Sequence, residues 1–210
     1  MNYKVFTQLL VLLTLSTTAT AQQLYLETGK TSSTFDYSNS QGTSLDNLQS
    51  TAHSFLAAGY RGQVFAKDLF GSLGVSYAGY GAIGSDDATG VFMEWNMDYL
   101  EFNAGLEYEL LTFDKIKFFI KGTASAGFML EGTQTLNNKV IDLKNNEDFD
   151  KTRFDFRGGV GLSYSVSDKL AIYMQYMYGK SLELKDEGDN ESLKIESRNI
   201  SFGLLISLPE

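Results

Sequence analysis

The sequence predicts an all-β protein, an eight-stranded antiparallel up-and-down β-barrel that spans a membrane. The first observation is a long alternation of apolar and polar residues, with apolar residues at the even positions from Leu100 to Leu110 and again from Ile116 to Leu130. This is the period of a β-strand. Each arm lasts for more than ten residues, which suits the ~9 to 11 residues of a transmembrane strand better than the ~5 to 6 of a soluble strand.

The second observation is the rhythm of the connections. Short turns near Lys67, Asp114 and Ser167 alternate with longer polar loops near Gly42, Asp86, Asn145 and Gly188. Outer-membrane barrels have short periplasmic turns and long external loops. The predicted strands cover residues 24–37, 53–65, 69–83, 91–111, 115–131, 152–166, 169–184 and 193–208.

The fourth strand changes phase along its length. Its apolar residues fall on odd positions from Val91 to Tyr99 and on even positions from Leu100. If every apolar residue faces outward, a β-bulge near residue 99 explains the change, because a bulge adds one unpaired residue. The alternative is two separate strands, 91–97 and 100–111.

Residues 1–21 resemble a secretory signal peptide, and residues 22–210 form the predicted barrel domain. Lys4 precedes an apolar run from Val5 to Leu15, and Ala19 and Ala21 fit a cleavage site before Gln22. The chain contains no cysteine and one proline, which suits a barrel held by strand pairing without disulfides. Its net charge of −9 argues against nucleic acid as a partner.

Ten charged residues fall on the face opposite the apolar residues, five of each sign, and we expect them to fill the lumen as a charge-paired network. The alternative is a narrow gated pore lined by the same side chains. These residues are Arg61, Glu101, Glu107, Glu109, Lys117, Lys121, Glu131, Arg153, Asp155 and Arg157.

Five aromatic residues fall near the predicted strand ends, where aromatic girdles mark the membrane interfaces. We expect Trp95, Tyr99 and Tyr178 at the outer interface and Tyr25 and Phe65 at the inner one. The alternative is that they pack inside a soluble barrel.

The sequence offers little for catalysis or for metal binding. His53 is the only histidine and Ser54 follows it, but adjacent residues of a strand point to opposite faces, so we do not expect them to form a base and nucleophile pair. The acidic segment 185–191 lacks the spacing of a calcium loop. We expect no enzyme activity, no metal and no cofactor.

A soluble lipocalin-like barrel that binds an apolar ligand is the main alternative function. It uses the same strand number with the opposite polarity, apolar inside and polar outside. The facing of Phe118 and Lys121 distinguishes the two.

The long alternating strands resemble the small outer-membrane barrels of the OmpA-like and OmpX-like kind. Residues 99–103, Tyr-Leu-Glu-Phe-Asn, are similar to the strand signature of the porin-family barrels that include the PorT-like group, with Asn103 in place of proline. The resemblance implies the outer membrane of a Gram-negative bacterium, with membrane lipid, lipopolysaccharide and the barrel insertion machinery as partners. It also implies a structural or surface-interaction role through acidic external loops, with a surface protein as a further partner.

Overall fold

The structure is a computed structural model that describes residues 22–38, 48–85, 90–144, 151–182, 184–185 and 192–209. The predicted signal peptide and the centres of the four long loops lie outside these residues. The described chain forms ten strands: β1 Gln23–Ser38, β2 Gln49–Gln63, β3 Leu69–Ser85, β4 Phe92–Phe113, β5 Ile116–Leu136, β6 Lys139–Asp142, β7 Arg153–Ser167, β8 Leu170–Ser181, β9 Leu184–Lys185 and β10 Ser192–Ser207.

Eight of these strands form a closed antiparallel barrel. Each long strand pairs with the next long strand along the chain, and β1 pairs with β10 along its whole length, Gln23 opposite Ser207 and Ser38 opposite Ser192. The short strands β6 and β9 extend the hairpins at the loop end by pairing with β5 and β10. The predicted eight-stranded up-and-down barrel is therefore confirmed.

The wall of the barrel is apolar outside and polar inside. Leu73 and Phe202, which point outward, are 66% and 57% exposed, whereas Glu101 and Arg153 are fully buried in the lumen. Phe118 is exposed, and Lys121 points inward. A lipocalin-like carrier requires the opposite polarity. Across the described residues no helix has the length and apolarity to cross a membrane.

The predicted phase change in the fourth strand is wrong. β4 is one strand in which the odd positions from 93 to 109 point inward, so Trp95, Met97 and Tyr99 are buried, with exposed fractions of 6%, 1% and 1%. A register shift does occur beside Tyr99, but the extra residue is Leu130 of β5. The bulge therefore turns the facing of β5, and both Leu130 and Glu131 are exposed.

The outer half of the lumen holds an apolar cluster rather than charges. Trp95 packs edge to face on Phe35 with ring centroids 5.9 Å apart, and Tyr99 packs on Tyr80 in the same way. Also in the cluster, and almost fully buried, are Met97, Met129, Leu143 and Ile195. This cluster lies between the charged part of the lumen and the long loops.

Candidate functional site: the charged lumen

The buried carboxylate of Glu101 is the centre of the upper charged layer. It accepts hydrogen bonds from Arg153 Nη2 at 2.8 Å, from Arg157 Nη2 at 2.7 Å to both oxygens, from Tyr80 Oη at 2.6 Å and from Ser76 Oγ at 2.9 Å. The strands β3, β4 and β7 supply these groups, so the layer crosses the lumen. A buried carboxylate with this many donors has its desolvation offset by pairing.

Arg153 is fully buried and has two acidic partners. Its Nε donates to Asp155 at 2.9 Å, and its Nη2 bonds Glu101. Its guanidinium carbon also lies 3.9 Å from the Tyr80 ring centroid and 4.1 Å from that of Tyr99. These cation–π contacts join the charged layer to the apolar cluster above it.

The lower charged layer lies near the short turns and is centred on Arg61. Its Nη2 bonds Glu107 at 2.5 Å and Glu109 at 3.0 Å, and Glu109 also pairs with Lys117 at 2.8 Å. The Arg61 guanidinium stacks over the Phe70 ring at 3.8 Å. Positions 101, 107 and 109 all lie on the inner face of β4, so this one strand supplies carboxylates to both charged layers.

Between these layers lies Glu27, which sequence reasoning missed. It is 6% exposed and accepts hydrogen bonds from Ser201 Oγ at 2.5 Å, Gln175 Nε2 at 2.7 Å and Tyr173 Oη at 2.8 Å. The alternation along β1 does predict an inward Glu27, because position 27 falls between the outward positions 26 and 28. Lys121 reaches this layer, with Nζ 3.5 Å from Gln175 Oε1.

Nine of the ten predicted lumen charges point into the barrel, and Glu131 does not. The prediction for Glu131 is wrong because the bulge at Leu130 turns it to the outside. Glu27 takes its place, so the described lumen still holds five acidic and five basic side chains. The lumen composition is therefore neutral although the whole chain is acidic.

The girdle prediction is wrong for three of its five aromatic residues. Tyr25, Trp95 and Tyr99 point inward and are 7%, 6% and 1% exposed, because they lie on the inner face of β1 and β4. Phe65 is 92% exposed at the short-turn end, and Tyr178 is 37% exposed near the loop end. Only these two lie where girdle residues are expected.

The lumen contains little free space among its described residues. One cavity of about 40 Å³ lies beside Glu27, Lys121 and Arg157, and another of about 10 Å³ lies between Arg61 and Tyr173. A cavity needs about 10 to 15 Å³ to hold a water molecule, so these spaces have room for isolated waters only. The interior is filled by side chains, as expected for eight strands.

Gly203 of β10 leaves space for the side chains around Glu27, and its substitution tests how they pack. A Cβ at Gly203 would overlap the ring of Tyr173, whose hydroxyl donates a hydrogen bond to Glu27. We expect Gly203→Ala to lower the free energy of unfolding by about 1 to 3 kcal/mol, because overpacking displaces a buried ring. Urea unfolding in detergent or lipid vesicles measures this.

Gly158→Ala is the matched control for Gly203→Ala. Gly158 lies on the outer face of β7, and a Cβ there would meet no atom within 4 Å. Its substitution should change the free energy of unfolding by less than about 0.5 kcal/mol. Equal effects of the two substitutions would contradict the packing described for Gly203.

His53 and Ser54 lie on opposite faces of β2, as expected. His53 pairs in register with the buried Thr31 and is half-buried, and Ser54 is exposed on the other face. The register between β2 and β3 shifts between Ser50 and Phe55. His53 packs on Gly79 at the outer side of β3, where an added Cβ would lie 2.6 Å from the histidine Cβ.

The two side chains also have different partners. His53 Nε2 lies 2.7 Å from Thr51 Oγ1, while Ser54 Oγ accepts a hydrogen bond from Lys30 at 3.4 Å. The serine is therefore paired with a cation and not with the histidine. Within the described ranges, no three His, Cys, Asp or Glu side chains converge on a metal position.

Solved structures with the same architecture are outer-membrane and bacterial surface proteins. Neisserial surface protein A has a TM-score of 0.51 and 14% identity, over 88% of this chain and 97% of the other. OprG of Pseudomonas aeruginosa has a TM-score of 0.53 and 12% identity, over 90% and 98%. A major outer membrane protein of Thermus thermophilus has a TM-score of 0.50 and 12% identity, over 90% of this chain and 100% of the other. At this identity the likeness concerns the fold.

The sequence comparison identifies the family. No curated protein matches the chain significantly, but the family model described as "Outer membrane protein beta-barrel domain" matches residues 7–206. This match covers most of the sequence and confirms the resemblance to small outer-membrane barrels. The chain is a Gram-negative outer-membrane protein that sits among membrane lipids, and it belongs to the outer membrane protein β-barrel domain family.

Proposed function

We propose that this protein is a non-enzymatic outer-membrane barrel with a closed lumen, which supports envelope structure and presents acidic external loops to a surface partner. The observation that carries the proposal is the layer of Glu101, Arg153 and Arg157 across the lumen, with the apolar cluster above it. A lumen filled by paired charges leaves no continuous path for solutes.

The loop end of the barrel supports the surface role. The long connections lie at one end, and in outer-membrane barrels that end is external. Their sequences are rich in acidic residues, which favours contact with a basic protein surface or with anionic lipid bridged by cations. The acidic loop residues are Asp46, Asp86, Asp87, Glu147, Asp148, Asp150, Asp186, Glu187, Asp189 and Glu191.

Export and assembly complete the proposal. Residues 1–21 are removed as a signal peptide near Ala21, and residues 22–210 are inserted by the barrel insertion machinery into a membrane whose outer leaflet contains lipopolysaccharide. Mass spectrometry of the N-terminus of protein purified from outer membranes tests the first step. A mature chain that begins at Gln22 supports it, and a retained Met1 contradicts it.

Planar-bilayer recording tests the closed lumen. We expect no steady single-channel openings from the wild-type barrel in salt at roughly 1 M, where the Debye length is about 3 Å and surface charges are screened. Protease protection of the same protein in vesicles must show that the barrel has inserted. Steady openings from inserted protein would overturn the proposal and favour the narrow gated pore.

A hydrolysis assay tests the non-enzymatic part. His53 is the histidine of the chain, and its Nε2 lies 2.7 Å from the Thr51 hydroxyl, so it is the group to test as a general base. We expect no release of fatty acid from phospholipid or lipid A by the wild-type barrel beyond that by His53→Ala. Release that depends on His53 would contradict the assignment.

A further inference from the structure

The outer wall carries charged side chains directly above the apolar band. On β1, β8 and β10 these side chains are Lys30, Lys180 and Arg198, all exposed. Each lies one outward position beyond the last residue of the band, which is Thr28 on β1, Tyr178 on β8 and Ile200 on β10. We call Lys30, Lys180 and Arg198 the basic patch.

The opposite side of the barrel carries acidic side chains on its outer wall. Asp98 of β4 pairs in register with Glu131 of β5, and Glu94 follows on the outer face of β4. One acidic residue, Glu196, lies beside the basic patch and forms an ion pair with Lys180. Lys30 and Arg198 therefore supply the net positive charge, and they lie on adjacent strands.

An apolar groove runs across the outer wall below this patch. Its volume is about 970 Å³, and it lies between two adjacent rows of outward side chains that cross the paired strands. One row includes Phe202, Thr28 and Leu56, which follow one another in register across β10, β1 and β2. Lys30 lies one outward position above Thr28, so the groove passes directly beneath the basic patch.

We propose that the basic patch and this groove form a binding site for a phosphorylated, acylated glycolipid of the outer leaflet, the lipid A part of lipopolysaccharide. Lys30 and Arg198 bind a phosphate, and the acyl chains lie in the groove. The inference rests on the proposed envelope role and deepens it, but it concerns the outer wall and does not depend on a closed lumen.

Two features of the site favour lipid A as its ligand. The long loops place the patch at the external end, where the outer leaflet lies. A phosphate at the headgroup level is complementary to two cations, each contributing about 1 kcal/mol near a membrane surface, and a groove of this size accepts acyl chains by apolar contact alone. A soluble anion would satisfy only the cations.

The test compares the wild-type barrel with Lys30→Glu/Arg198→Glu in phosphatidylcholine vesicles that contain bisphosphorylated lipid A. We expect lipid A to raise the thermal unfolding midpoint of the wild type and the double variant to bind it roughly ten to a hundred times more weakly, from the loss of two favourable charges and their replacement by repulsive ones. Lys115→Glu/Lys169→Glu, which reverses two exposed lysines at the short-turn end, is the matched control and should bind as the wild type does.

A second variant and three other probes separate the possible outcomes. Ala58→Phe, which fills the groove without a change of charge, should also weaken binding of lipid A. Dephosphorylated lipid A, phosphatidylglycerol or inorganic phosphate should produce little stabilisation. The proposed site would be overturned if any of these three probes stabilised the barrel as much as lipid A does, or if the double variant bound lipid A as tightly as the wild type. Channel openings by the wild type would overturn only the closed lumen of the proposed function.

Discussion

Glu101→Gln is expected to lower the free energy of unfolding by about 3 to 5 kcal/mol, the cost of removing one partner from a buried charge network. The substitution keeps the size of the side chain but removes the charge that faces Arg153 and Arg157. Both guanidinium groups then stay buried with less compensation, and Asp155 remains as the neighbouring acid of Arg153. Reversible urea unfolding in lipid vesicles measures the change.

Glu131→Gln is a sharp control for Glu101→Gln, because the sequence pattern places both residues in the lumen and the structure places only Glu101 there. Glu131 is exposed on the outer wall beyond the bulge. Its substitution should change the free energy of unfolding by less than about 0.5 kcal/mol. Similar losses for the two variants would show that the bulge at Leu130 is misplaced.

Alternation predicted most of the barrel correctly because one physical rule holds along most of its length. Where the outer face meets an apolar environment and the inner face is polar, period two alone gives the strand and its facing. This rule placed nine of ten charges in the lumen, and it placed Phe118 and Lys121 on opposite faces.

The rule fails in the outer half of the lumen, where the polarity of β4 is reversed and Glu94, Asn96 and Asp98 lie on the outer face. Trp95, Met97 and Tyr99 are apolar but lie on the inner face, so a rule that places apolar residues outward assigns them to the wrong face and creates a false phase change. The true bulge lies on β5, and only pairing with β4 reveals it. Trp95 and Tyr99 were misassigned as girdle residues for the same reason.

Glu27 shows a different limit of sequence reasoning. Its position on the inner face follows from Leu26 and Thr28 beside it, but its partners come from β8 and β10, at the far end of the sequence. Closure of the barrel between β1 and β10 brings them together. Pairing of the first and last strands is a property of the whole fold, which no local pattern contains.

Leu73→Arg is expected to destabilise the barrel in lipid by about 2 to 4 kcal/mol, the cost of a cation at the middle of the apolar band. Leu73 is 66% exposed and lies midway along the outward residues of β3, with Tyr60 and Ala104 beside it. Asn96→Arg, on the same wall but above the band, should cost less than about 1 kcal/mol because interface positions are tolerant. Folding titrations in lipid vesicles compare the two.

The comparison of Leu73→Arg with Asn96→Arg isolates the contribution of the membrane. A soluble barrel would tolerate both substitutions alike, since an exposed leucine in water gains nothing by staying apolar. The difference between the two variants therefore measures the lipid environment itself, because both add the same cation to the same outer wall. Equal effects would remove the physical basis for a barrel that is apolar outside and charged within.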